Sequence, residues 1–145
     1  MTRRCFASCL LLSACNRPSD ESQIEKQLEL RATYVGSMNF FGQASLFAED
    51  GLLEVAGQPP VQGPKAIQQY LSTNSRFKVL DYSEDPQKPQ VDGSKAAQTV
   101  IYQQHFRDPQ GKSIELNGKL TISWSRSPEG RWLIQRLVTS SALQP

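Results

Sequence analysis

His105 is the only histidine in the chain, so any catalytic triad, histidine pair on a metal or His–carboxylate dyad must be built on it. On a strand from Ala97 to Phe106, Gln103, His105 and Arg107 share one face. Val100, Tyr102, Gln104 and Phe106 share the other, because successive side chains alternate. The second set is the more apolar and is the expected core or pocket side. His105 is left on a polar face suited to a surface or subunit contact. One histidine among scattered carboxylates makes no dedicated metal centre. No serine stands in a nucleophile elbow and no glycine-rich loop is spaced to cradle phosphates, so no cofactor is expected. Tyr34, Tyr70, Tyr102, Gln104 and Trp124 each combine an apolar body with a polar tip. Brought together they would line a pocket for an uncharged or aromatic small ligand; kept apart, each would fill the core with its tip hydrogen-bonded. Tyr34 and His105 are the candidates for proton transfer.

These side chains need elements to carry them. Ser22 with Glu25 reads as a capping box opening a helix that can start a few residues earlier. Ile24, Leu28, Ala32, Val35 and Met38 then recur at three- and four-residue spacing, one apolar stripe. Phe40-Phe41-Gly42 predicts a short second helix through Ala48, with Glu49-Asp50 as a solvated turn into a short strand, Leu52–Val55. Gly63-Pro64 starts a third helix, with proline at its first position and Ile67, Tyr70 and Leu71 on its buried side. The period then switches. Phe77 to Tyr82 is extended, interrupted by Asp85-Pro86 and Pro89. Asp92-Gly93 is a hairpin signal. Strands over Ala97–Phe106, Ile114–Trp124 and Trp132–Thr139 are separated by Asp108–Gly111 and Ser127–Gly130, both with type I turn chemistry. Helices first, then long strands in an antiparallel meander, predict an α+β domain.

Cys5, Cys9 and Cys15 are the only cysteines. Arg3 and Arg4, an uncharged stretch from Cys5 to Ala14, and small residues before Cys15 make a three-part secretory signal. Its apolar run is shorter than the roughly 20 residues that span a bilayer. Leu12-Ser13-Ala14-Cys15 resembles the lipobox of bacterial lipoproteins. That resemblance implies that residues 1–14 are removed, that Cys15 is lipidated on its sulfur, that 15–18 are a tether and that 19–145 form the domain. Thr2 to Phe6 also looks like the start of a twin-arginine signal, although Ala7-Ser8 departs from the usual Leu-Lys; the export route stays open. Asn16, by the same resemblance, implies sorting to the outer membrane and a periplasmic domain. At about 3.4 Å per extended residue the tether keeps that domain within some 10–20 Å of the lipid. With two cysteines removed and the third acylated, no internal disulfide, thiolate nucleophile or thiolate metal site is expected. Without Arg3 and Arg4 the 16 basic residues become 14, equal to the 14 acidic ones. A near-neutral domain with no basic stripe argues against nucleic acid as a partner.

The order of elements, with Leu46-Phe47-Ala48-Glu49-Asp50-Gly51, Gly57 through Val61-Gln62-Gly63, Ala66-Ile67 with Tyr70-Leu71, and Gly130-Arg131-Trp132-Leu133-Ile134, resembles the nuclear transport factor 2-like superfamily, in particular its SnoaL-like branch. The resemblance implies a cone-like curved antiparallel sheet packed on three N-terminal helices, with a pocket at the open end. It does not choose among isomerases, cyclases, dehydratases, transport adaptors and modules without chemistry. Steroid isomerases of the superfamily use a tyrosine on the first helix, a base Asp on the first strand and a second acid on a late strand. Tyr34 fits the first. The base position lands on Val55, with Glu54 on the other face, and the second acid falls near Lys119-Leu120-Thr121, where no carboxyl stands. Proton abstraction beside a carbonyl needs both a base and an oxyanion partner. Three readings follow: an envelope lipoprotein holding a small apolar or aromatic ligand in its cone; a SnoaL-type lyase or isomerase working through Tyr34 or His105; or a scaffold that pairs two copies, or docks an envelope protein, through an outer sheet face carrying Gln103, His105, Thr121 and Ser123.

Overall fold

The computed structural model describes residues 18–140, so the expected leader, the lipidation site Cys15 and the first part of the tether lie outside the described residues. Three helices come first: α1 (Asp20–Gly36), α2 (Phe40–Ser45) and, after the strands β1 (Phe47–Val55) and β2 (Val61–Gln62), α3 (Pro64–Ser72). Five further strands follow: β3 (Lys78–Pro86), β4 (Gln90–Asp92), β5 (Lys95–Arg107), β6 (Ser113–Arg126) and β7 (Trp132–Thr139). Together the strands form one curved sheet in the order β2-β1-β7-β6-β5-β3, with β4 paired to the start of β5. The fold is α+β, as expected. The sheet is not wholly antiparallel, however: β1 runs parallel to β7.

The helix boundaries have local causes. Ser19, not Ser22, caps α1: its side chain accepts from the Ser22 amide at 3.1 Å. Asp20 and Glu21 then place negative charge in the first turn, where the helix dipole favours it. At the other end Met38 takes a positive φ of 56°, which stops the helix and turns the chain into α2. Asn39 caps α2 through Oδ1, which accepts from the Gly42 amide at 2.8 Å. That helix ends at Ser45, before Ala48, and Phe47 is already strand. Glu49-Asp50 is therefore not a turn. It belongs to an irregular stretch of β1, where partners jump from Phe47↔Ile134 to Leu52↔Arg136. Gly51 permits the close approach: a Cβ there would lie 2.8 Å from the Ile134 carbonyl oxygen.

Both hairpin turns after β5 close as their residues predict. The Gly111 amide donates to the Asp108 carbonyl at 3.0 Å and the Gly130 amide to the Ser127 carbonyl at 2.8 Å. The helices pack against β1, β2, β3 and β7 of the sheet, and the buried apolar residues of the strands form the core with Ile24 and Leu28 of α1 and Ile67 of α3. At the end where β7 begins, that core is filled. Trp124, Trp132, Ile24, Ile122 and Ile134 are each essentially inaccessible. The Trp132 indole N–H donates to Asp20 Oδ1 and the Gln27 amide donates to the Trp132 carbonyl, which pins the start of α1 over the start of β7. From there α1 runs toward the opposite end, where β5 and β7 finish and β6 begins. Among the described residues no helix is long and apolar enough to cross a membrane.

Candidate functional site

That opposite end is hollow. A cavity of about 180 Å³ opens between the C-terminal halves of α1 and α3 and the concave face of the sheet. Arg31 and Val35 reach it from α1, Met38 from just beyond that helix, and Tyr70 and Leu71 from α3. Leu53 and Val55 of β1, Tyr102, Gln104 and Phe106 of β5, and Leu116 and Leu120 of β6 form the sheet side. Pleating explains the choice: Tyr102, Gln104 and Phe106 are alternate residues, as are Leu53 and Val55. Tyr102 lies across β6 because its direct partner there is Gly118. A Cβ on Gly118 would sit 2.5 Å from the phenol ring, so that glycine makes room for the cavity wall. At the outer end Phe77 meets Phe106 edge to face at 5.6 Å.

Among the sequence-derived candidates, Tyr70, Tyr102 and Gln104 do meet at the cavity. Trp124 does not. It lies in the filled end, 1% exposed, with its indole N–H donating to Gln98 Oε1 at 3.2 Å; Gln98 in turn donates to the Gln87 carbonyl. This corrects its assignment to the pocket: an indole large enough to fill the narrow end is consumed there. Tyr34 is likewise absent from the lining. Its ring packs on α2, so close to Gly42 that a Cβ at that position would lie 2.7 Å away. His105 is half-buried on the convex face, opposite Asp81 of β3 and Glu115 of β6. It is separated from the cavity by the thickness of the sheet. Neither Tyr34 nor His105 therefore reaches a ligand in the cavity.

Val55, and Leu120 of the Lys119-Leu120-Thr121 stretch, where the resemblance to steroid isomerases would look for acids, both line the cavity as hydrocarbon. Glu54 points to the convex face and accepts two hydrogen bonds from Arg136, at 3.0 and 2.7 Å. These bonds, chiefly, hold its carboxyl below the usual range. Among the described residues no Asp, Glu, His, Lys or Cys lines the cavity itself; the Glu84 carboxylate is bonded to two lining residues, Arg31 and Tyr82, without being one of them. The ionisable groups of the lining are Arg31 and three tyrosines, of which Tyr70 is pushed up by burial. Among the described lining residues none carries a side chain able to take a proton at neutral pH. Among the described residues no group of three or more His, Cys, Asp or Glu is placed to hold a metal ion.

The polar centre of the cavity is one that residue patterning did not single out. Arg31 Nη1 donates to the Tyr82 hydroxyl oxygen at 2.9 Å and to Glu84 Oε1, and the Tyr82 hydroxyl donates to the same carboxylate oxygen at 2.7 Å. The Arg31 and Glu84 side chains are only 13% and 6% exposed. Burial pushes the Tyr82 phenol well above its ordinary range, and Glu84 adds to this against the opposing pull of Arg31. Burial also acts to lower the Arg31 pKa, but Tyr82 and Glu84 outweigh it and hold the guanidinium firmly protonated. Tyr82 stacks on Tyr102 with centroids 6.0 Å apart, so the charged cluster is coupled to the aromatic wall. A signal for it does exist in the sequence. Arg31 falls on the apolar stripe of α1, three residues after Leu28 and four before Val35, and Glu84 shares a strand face with Tyr82. A charge on each of two inward faces calls for a partner, and each is the other's.

A curved, unclosed sheet folded over three helices and hollow at one end defines the nuclear transport factor 2-like class of cone folds. Within that class the chain belongs to the SnoaL-like domain family, which it matches over residues 16–138. Its fold is similar to that of a ketosteroid isomerase-like protein from Erwinia carotovora atroseptica, at 15% identity and a TM-score of 0.78, covering 89% of this chain and 100% of that one. A conserved protein from Planctomyces limnophilus superposes with a TM-score of 0.73 at 17% identity, covering 84% and 95% of the two chains. A protein from Catenulispora acidiphila, solved in complex with S-DNPA, does so with a TM-score of 0.65 at 15% identity, covering 81% and 89%. No curated protein matches the sequence. SnoaL-like domains of this fold serve ligand-binding or isomerase-type functions.

Proposed function

We propose that this protein binds a small, largely apolar or aromatic molecule in the open end of its cone and does not act on it by proton abstraction. One observation carries the reading: a cavity walled by aromatic and aliphatic side chains, neutral amides and the Arg31 guanidinium, with no carboxylate or imidazole among its described lining residues. General base catalysis needs such a group within hydrogen-bond reach of the substrate proton. Binding needs only apolar area and a few polar anchors. The test is calorimetric titration of the purified chain with indole and benzyl alcohol, repeated with Leu120→Trp, which fills the cavity from β6. The wild type binds saturably and the variant binds more than tenfold weaker with unchanged circular dichroism. Absence of binding, or binding indifferent to Leu120→Trp, overturns the proposal.

The setting we infer is the periplasmic face of the outer membrane, with the domain held through a lipid on Cys15. Support comes from the leader pattern and the lipobox-like Leu12-Ser13-Ala14-Cys15. Pairing of two copies through the convex face is supported by Ile101, a large apolar side chain 44% exposed on it. One fractionation checks both. Wild type partitions with membranes and Cys15→Ser is unprocessed or soluble; sedimentation of the soluble form shows a dimer. A membrane-bound Cys15→Ser protein refutes the anchor, and a strict monomer refutes the pairing.

A further inference from the structure

The charge of the ligand follows from what Arg31 leaves unused. A guanidinium offers five N–H donors in a rigid planar fork. Nη1 commits both of its hydrogens, to Tyr82 and to Glu84. Among the described residues Nε and Nη2 have no hydrogen-bond partner, yet no buried side-chain nitrogen or oxygen there is left without one. These two atoms are therefore not sealed in, and Arg31 lines the cavity. Nε–H and one Nη2–H point the same way, and this edge takes a planar carboxylate through two parallel hydrogen bonds. Size narrows the choice. The cavity, about 180 Å³, is close to the roughly 150 Å³ engineered apolar cavity that takes up benzene.

We propose that the cavity holds a single-ring aromatic carboxylate, with its ring between Tyr102, Phe106 and Leu120 and its carboxylate on the Nε/Nη2 edge of Arg31. The proposal rests on the ligand-binding reading above and adds the charge and size of the ligand to it. Glu84 has a definite part in it. It fixes the guanidinium from the Nη1 side, so the free edge is preorganised and no side-chain entropy is lost on binding. It also places a second negative charge near the incoming one, which restrains affinity.

The two effects separate in a titration at pH 7 with benzoate and with benzamide, which has the same shape without the charge. Wild type binds benzoate at least fivefold tighter than benzamide. Glu84→Gln keeps an acceptor for the Tyr82 hydroxyl while removing the opposing charge; benzoate affinity rises threefold or more and benzamide affinity stays level. Arg31→Gln combined with Glu84→Gln avoids stranding a lone buried charge, and it erases the preference while benzamide still binds. Equal affinities in wild type overturn the carboxylate assignment but leave ligand binding standing. Glu84→Gln weakening both probes alike also overturns it, since a merely structural ion pair behaves that way. If neither probe binds, both readings fall.

Discussion

The two ends of the cone are built from the same strands and behave as opposites. At the end where β7 begins, Trp124, Trp132, Ile122, Ile134 and Ile24 occupy all the space between sheet and α1. Their polar atoms are matched one to one, the Trp124 N–H on Gln98 and the Trp132 N–H on Asp20. At the end where β7 finishes, leucines, three valines and three tyrosines stand round a space they do not fill, and Arg31 and Tyr82 of the wall are bonded to the buried carboxylate of Glu84. Replacing a buried ion pair by hydrocarbon of the same volume is often neutral or stabilising. Its presence at the hollow end, where hydrocarbon would serve stability as well, is what marks that end for recognition. The lesson is one of division of labour. The filled end keeps the sheet folded over α1, and this frees the other end to stay open.

Substitutions separate the ends, most strongly by truncation. Trp124→Ala destabilises by about 3–5 kcal/mol in urea unfolding, because it opens a void in a filled region and strands Gln98. Leu116→Ala, at a half-exposed position beside an existing cavity, costs less than about 2 kcal/mol. Similar values for the two would abolish the distinction. The reverse operation should change sign between the ends. Ala96→Leu overpacks the filled end and lowers stability by about 1–3 kcal/mol. Leu116→Phe only enters empty space, and its melting temperature stays level or rises.

The smallest effect is the most specific to the buried cluster. Tyr82→Phe removes a phenol that links Arg31 to Glu84, worth about 1 kcal/mol at pH 7. Its pH dependence follows from the raised phenol pKa. In the unfolded chain the phenol ionises near pH 10, while in the folded protein it keeps its proton. Above about pH 10 the unfolded state therefore binds fewer protons, and wild-type stability falls as pH rises. Denaturation at pH 8 through 10.5 should show a shallower alkaline decline in Tyr82→Phe. Tyr70, raised by burial in the same direction, supplies the remainder. Identical slopes would mean that Tyr82 is solvated.

Periodicity made most of the fold legible. The α1 stripe, proline at the start of α3 and the turn chemistry of Asp108–Gly111 and Ser127–Gly130 each depend on neighbours a few residues away, and the structure has them in place. What sequence distance hid came out otherwise. Glu49-Asp50-Gly51 has turn composition, but Phe47 and Leu52 on either side of it pair with β7, some eighty residues on, and carry it within the strand. Alternation put Tyr102 and Gln104 on the concave face together with Trp124, yet depth along the cone decides between core and cavity, and a period of two carries no depth. The Arg31–Glu84 pair was hidden for a related reason. Each charge is an oddity on an apolar face, and only the packing of α1 against β3 shows that the two oddities cancel.

The length of α1 has a further consequence. Its 17 residues make a strut of about 25 Å at 1.5 Å per residue, with Ser19 at one end and Met38, on the cavity wall, just beyond the other. Under the proposed anchor on Cys15, the Ser19 end lies beside the lipid and the cavity lies at the far end of the strut. With α1 upright on the bilayer, the mouth would face the aqueous side and sample what is dissolved there rather than what is partitioned into the leaflet.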